Sequence, residues 1–128
     1  MGLGERSSQA FEWHRGEIRG AVVLADTVHA ISWSKDGVLC MWDLESGSSQ
    51  AFEGHRRQIR GAVALADGAR ALSWSAYGTL RLWDLRSLQE LTRFVGDDPL
   101  TCCVISHDER LAVVGDGRGR VMRFDLPA

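Results

Sequence analysis

The chain has 128 residues, 45% of them hydrophobic and 25% charged, the profile of one ordinary globular domain rather than a disordered or fibrous chain. A formal net charge of −2 argues against a general nucleic-acid binder, and the longest all-apolar run, Ala21 to Ala25, is far too short to span a bilayer. Glu5, Arg6, Glu12, Arg15, Glu17 and Arg19 exclude the apolar core of a signal peptide, Arg6 breaks the myristoylation pattern, and an odd set of cysteines (Cys40, Cys102, Cys103) points to free thiols in a reducing cytoplasm.

In chain order, the first stretch of the sequence has turn signals at Asp26-Thr27 and Asp36-Gly37. The middle stretch is the clearest. Ile59–Leu65 is apolar with small residues, Asp67-Gly68 turns the chain, Ala71–Ser75 follows, Tyr77-Gly78 turns it again, and Leu80–Leu85 completes the series. The last stretch places turns at His107–Glu109 and Arg118-Gly119. Gly, Asp or Ser stands around each turn, as hairpins require. No segment carries about ten residues of helical periodicity with caps, so short strands spaced roughly 8–12 residues apart predict an all-β chain. His29 and His107 fall in predicted turns and read as solvated, as do the acidic pairs Asp97-Asp98 and Asp108-Glu109. Gly115–Gly119 has the glycine content of a phosphate loop, but no helix and no GK[ST] ending follow, so it reads as a hairpin turn. Cys102 and Cys103 are adjacent, so a strand sends them to opposite faces, and both read as packing residues.

The elements repeat. Residues 7–47 and 48–88 align without a gap at an offset of 41, with 26 of 41 positions identical, which rules out chance similarity and makes the repeat the organising feature. A more divergent third unit, 89–126, places Phe124-Asp125-Leu126 another 41 residues after Trp83-Asp84-Leu85. It has lost one residue between Gly96 and Leu100. Gly54-His55 and Trp83-Asp84 in the second unit, Trp13-His14 and Trp42-Asp43 in the first, and the weakened Gly96-Asp97 and Phe124-Asp125 in the third resemble the WD40 repeat. The resemblance runs from Ser7 to Leu126. It implies three four-stranded blades of a β-propeller in one partial domain, residues 1–128.

The resemblance also implies a buried relay in each blade. A Trp on the third strand bonds a hydroxyl on the second, the hydroxyl bonds a His before the first strand, and the His bonds a turn Asp. Buried indole and imidazole N–H groups need such partners. The first unit supplies Trp42, Ser32 (or Ser34), His14 and Asp36. The second supplies Trp83, Ser73 (or Ser75) and His55, with Tyr77 in the Asp position. The third has Phe124, Val114, Asp97 and Arg118, hence no relay and the least rigid blade. One His per repeat keeps the histidines apart, which argues against a metal site. Trp33 and Trp74 occupy one repeat position and read as filling the space between blades.

A ring of roughly 4–8 blades is usual, so three leave two open faces. By the resemblance, residues 7–13 form the outer strand of a preceding blade and the third blade lacks its own. The expectation is head-to-tail self-association in which residues 7–13 complete a neighbouring chain's blade. A homodimer of about six blades is favoured and a homotrimer of about nine is possible. The resemblance implies a non-catalytic scaffold, with no cofactor, no nucleic acid and no membrane, that binds a protein or peptide. Mapped by motif, its partner face comprises Glu17, Arg19 and Lys35, then Gln58, Arg60 and Ala76, then Pro99, Thr101 and Gly117. Arg15, Arg56 and Arg57 lie near, and favour an acidic partner unless they pair with Glu12, Glu17 or Glu53. The alternatives are a fragment or sensor module of a larger bacterial signalling or defence protein, and an enzyme whose acid, base or metal cluster the sequence does not assemble.

Overall fold

The computed structural model describes residues 10, 16–52 and 58–127. The segment 7–13 apart from Ala10, the histidines His14 and His55, the arginines Arg15, Arg56 and Arg57, and Glu53 lie outside the described residues. The described chain forms three antiparallel sheets. The first has the order β1 (Ile18–Val23), β2 (His29–Ser34), β3 (Leu39–Asp43), β4 (Ser49–Phe52). The second repeats it with β5 (Ile59–Ala64), β6 (Arg70–Ser75), β7 (Thr79–Asp84), β8 (Gln89–Val95). The third has three strands, β9 (Leu100–Ile105), β10 (Leu111–Asp116) and β11 (Val121–Asp125). No helix long and apolar enough to cross a membrane occurs among the described residues.

The turns explain why the sequence repeat becomes a structural one. Between the first two strands of each sheet, an Asp caps the turn with its own carboxylate. Asp26 Oδ1 accepts from the N–H of Val28 at 2.9 Å, Asp67 Oδ1 from Ala69 at 2.9 Å, and Asp108 Oδ1 from Arg110 at 3.1 Å. The next residue is left-handed in all three, with φ of 58° at Thr27, 70° at Gly68 and 59° at Glu109. The turn to the third strand uses Gly37, Gly78 and Gly119, also at positive φ. His29 is not in a turn: it opens β2, and its ring Nδ1 lies 2.6 Å from Asp26 Oδ2.

The missing residue before Leu100 has a counterpart in β8. Leu82 pairs with Thr92 and Trp83 with Glu90, so Leu91 is a bulge that β4 does not have. The extra residue there offsets the shorter approach to β9, and the third sheet returns to the 41-residue step.

The sheets stack face to face with β1 beside β5 and β5 beside β9. The first interface buries Ile31, Trp33, Leu39 and Phe52 of one sheet against Ile59, Ala62 and Trp83 of the next. The second buries Leu72, Trp74 and Leu80 against Leu100, Ala112 and Val114. Each includes one aromatic pair at the outer strand. Phe52 meets Trp83 edge-on at 5.2 Å, and Phe94 meets Phe124 at 4.8 Å. Trp33 and Trp74 lie in these interfaces because glycine faces them on the neighbouring strand. A Cβ at Gly20 or Gly61 would stand 2.2 Å from the Cζ2 of the respective indole.

Candidate functional site

Among the described residues four of the five buried polar ones, Ser32, Ser34, Ser73 and Ser75, lie on the second strands of the first two sheets, and the fifth is Asp116. Trp42 Nε1 donates to Ser32 Oγ at 2.8 Å, and Trp83 Nε1 donates to Ser73 Oγ at 2.8 Å. Both serines face the same side of the strand as the next serine but one. The indole selects the nearer of the two because it stands opposite Ala30 or Ala71 in the ladder. Ser34 and Ser75 do other work. Ser34 Oγ donates to Asp36 Oδ1, while Ser75 Oγ accepts from the N–H groups of Tyr77 and Thr79 at 3.3 and 3.2 Å. Asp36 also lies against Gly16, where a Cβ would be 3.1 Å from its Cγ. The relay's His14 and His55 lie outside the described residues. In the third sheet Val114 is fully buried and Phe124 packs on Phe94, an apolar replacement for the indole–serine pair.

The sequence-predicted partner face falls at one end of each sheet. The carbonyls of Glu17, Gln58 and Pro99 accept from the N–H groups of Lys35, Ala76 and Gly117, each at 2.9 Å. Each bond clamps the entry to a first strand against the turn that leaves the second. Arg19, Arg60 and Thr101 are the second residues of β1, β5 and β9, and all three are exposed. Arg19 Nη1 pairs with Glu17 Oε1 at 2.7 Å. Lys35 is exposed, and neither it nor Arg60 makes an ion pair among the described residues.

The third sheet has at this end an ion cluster that sequence reasoning missed. Arg120 Nε donates to Asp116 Oδ2 at 2.7 Å, its Nη2 lies 3.1 Å from Asp98 Oδ2, and Arg118 Nε lies 3.3 Å from Asp98 Oδ1. Asp116 is nearly inaccessible, and Asp98, at 18% exposed, is not the solvated acid that its turn position suggested. Burial pushes the Asp116 carboxyl up. The N–H and guanidinium of Arg120 and the N–H of Arg118 outweigh it and hold the group below the usual carboxylate range. Asp116 accepts the N–H groups of Arg118 and Arg120, as Ser75 accepts those of Tyr77 and Thr79. A carboxylate therefore does in the third sheet what a hydroxyl does in the second. The only sequence signal is that Asp116 stands 41 residues after Ser75.

The opposite end ties the second and third sheets together. Glu109 Oε2 accepts from Ala66 N–H, and Arg70 bonds both Asp67 and the carbonyl of Pro127. A cleft of about 810 Å³ opens there, lined by charges of both signs such as Asp67, Arg70, Arg110 and Arg123. The hydrogen bond with His29 draws the Asp26 carboxyl down to about 2. The nearest arrangement to an acid–base–nucleophile set is Asp26 and His29 beside a cleft that also holds Ser48. Ser48 Oγ, however, is bonded to Ser46 Oγ at 2.9 Å. No group of three or more metal-ligating side chains converges among the described residues. Cys102 is exposed rather than packed, whereas Cys103 joins the second core and burial pushes its thiol to about 11.

Comparison with models of known protein families and with curated proteins finds no match in either.

Proposed function

We propose that this chain is a WD40-type propeller module, a non-catalytic scaffold that joins further copies of itself head to tail and presents the strand-entry end of its sheets to a protein partner. The observation that carries this reading is the repetition of one stacking interface. The same 41-residue plan puts an aromatic from the second strand, a large aliphatic from the start of the next sheet's first strand (Ile59 or Leu100) and an outer-strand Phe at both interfaces. A unit that buries each face against a like neighbour forms a ring or a solenoid, and the roughly 4–8 blades of a ring exceed the three sheets present. Assembly with another copy, in which residues 7–13 extend the third sheet beyond β11, supplies the rest.

The partner surface in this reading is Glu17, Arg19, Lys35, Gln58, Arg60 and Thr101. Arg19 already spends its charge on Glu17, so Lys35 and Arg60 are the cations that would meet carboxylates of a bound peptide. Small-angle scattering on the purified chain tests the architecture. A closed ring gives the distance distribution of a flat disc. A profile that lengthens with concentration, as for an open filament, would contradict it.

A further inference from the structure

The step of 41 residues puts matching positions on matching faces, and the outermost faces keep most of the apolar side chains of the internal interfaces without their burial. Toward the following sheet, the first sheet presents Val22, Ile31 and Leu39, the second Val63, Leu72 and Leu80, and the third Val104, Val113 and Val121. Ile31 and Leu72 are 0% and 1% exposed, and Leu39 and Leu80 2% and 4%. Val22 and Val63 pack against the two cores. Their third-sheet counterparts Val104, Val113 and Val121 are 65%, 36% and 76% exposed. The receiving face shows the converse. Ile59 and Leu100 are 0% and 1% exposed, while Ile18 at the same position of the first sheet is 49% exposed. Val23 is 61% exposed, whereas Ala64 and Ile105 pack against the cores.

A single bare apolar face would fit many occupants. Here the third sheet exposes one half of an interface and the first sheet exposes the other half, and the chain already closes that interface twice. The geometry points to a second copy of this chain as the occupant, its Ile18 and Val23 face seated on Val104, Val113 and Val121 in a heterologous contact. This rests on the self-assembly reading above and assigns its surface. The seam differs from the two internal interfaces at two positions: Arg123, exposed and paired with Asp125, stands opposite Val113 where Met41 and Leu82 stand opposite Ile31 and Leu72, and the indole of the second strand is missing. Where Trp33 lies over Gly20 and Trp74 over Gly61, the third sheet has Gly115 over Cys102, whose Sγ is 2.9 Å from where a Gly115 Cβ would be. The largest side chain of the interface is thus absent where a lone copy would have exposed it, and the seam is the joint that opens first on dilution.

Two variants of the full chain test this by light scattering. Val113→Asp/Val121→Asp spoils the face of the third sheet, and Ile18→Asp/Val23→Asp spoils that of the first. Each variant alone is expected at the mass of one chain, and an equimolar mixture at two, because one intact seam remains between unlike partners. An unmodified chain that assembles while either variant still assembles alone would overturn the surface and leave self-assembly standing. An unmodified chain that stays monomeric would overturn self-assembly itself. The four positions are exposed in a single copy, so circular dichroism should not change. Should a variant fail to fold, alkylation of Cys102 in the unmodified chain gives the second readout. Its rate should fall about tenfold from dilute to concentrated protein, following the thiol's loss of exposure, and an unchanged rate would overturn the seam.

Discussion

Replacing Ser73 by valine removes the acceptor for Trp83 Nε1, a bond of 2.8 Å between two residues that are both 0% exposed. A buried N–H left without a partner costs about 1–3 kcal/mol, so Ser73→Val should destabilise by about 2 kcal/mol. Trp83→Phe loses the same bond and leaves a partial cavity against Phe52, together about 2 kcal/mol. If the two changes were independent, the double variant would lose about 4 kcal/mol. The third sheet argues otherwise, because at these positions it holds Val114, fully buried, and Phe124, half-buried and packed against the same core. With the indole itself gone the cost of its unpaired N–H is not added a second time, so the double variant should lose only about 2–3 kcal/mol, a coupling of about 1–2 kcal/mol. Urea unfolding followed by circular dichroism measures the cycle without relying on the tryptophan signal. Losses that add to within about 0.5 kcal/mol would refute the reasoning, since contacting residues should couple by more than that.

Gly61→Ala would place a methyl 2.2 Å from Trp74 Cζ2, so the indole must leave its place against Leu100 and Val114. Overpacking of this kind costs about 1–3 kcal/mol, whereas Gly68→Ala, with open space around it, costs only the strain of its positive φ. A Gly61→Ala midpoint in urea equal to that of the unmodified chain would contradict this placement of Trp74. Acid should unfold the protein through its turn aspartates. Asp26 at about 2, with Asp43, Asp67, Asp108 and Asp116 also lowered, gains stability that is fully present above the unfolded value of about 3.9. That stability is lost as pH falls through the lower folded-state values. The melting temperature should therefore hold from neutral pH to about 5 and fall below about 4, less steeply in Asp116→Asn. A fall that begins near pH 6, or none in acid, would contradict it.

The parts of the fold that depend on neighbours in the chain were legible in the sequence. Asp67-Gly68 and Arg118-Gly119 mark turns because an aspartate can cap its own backbone and a glycine can take positive φ. The repeat then carried the assignment to positions whose own residue gives no cue. Thr27 and Glu109 adopt the left-handed conformation that Gly68 adopts in the second unit, and no propensity argument places them there. What depends on distant residues was not legible. Ser32 and Ser34 share a face by alternation, so only the ladder position of Trp42 chooses between them. Asp98 and Arg120 stand 22 residues apart, and each alone looks like a solvated turn charge. The bulge at Leu91 exists only in relation to β7. Cys102 looked like a packing residue because its strand has a buried face, but its side chain lies on the other one.

Sedimentation equilibrium of the unmodified chain across a wide concentration range bears on the assembly that both proposals require. A closed head-to-tail ring gives a species of two or three times the 14.1 kDa chain that holds its mass as concentration rises, since a ring has no free face left. A well-folded species of one chain at every concentration would contradict it, because the Val104, Val113 and Val121 face and the Ile18 and Val23 face would then need no partner.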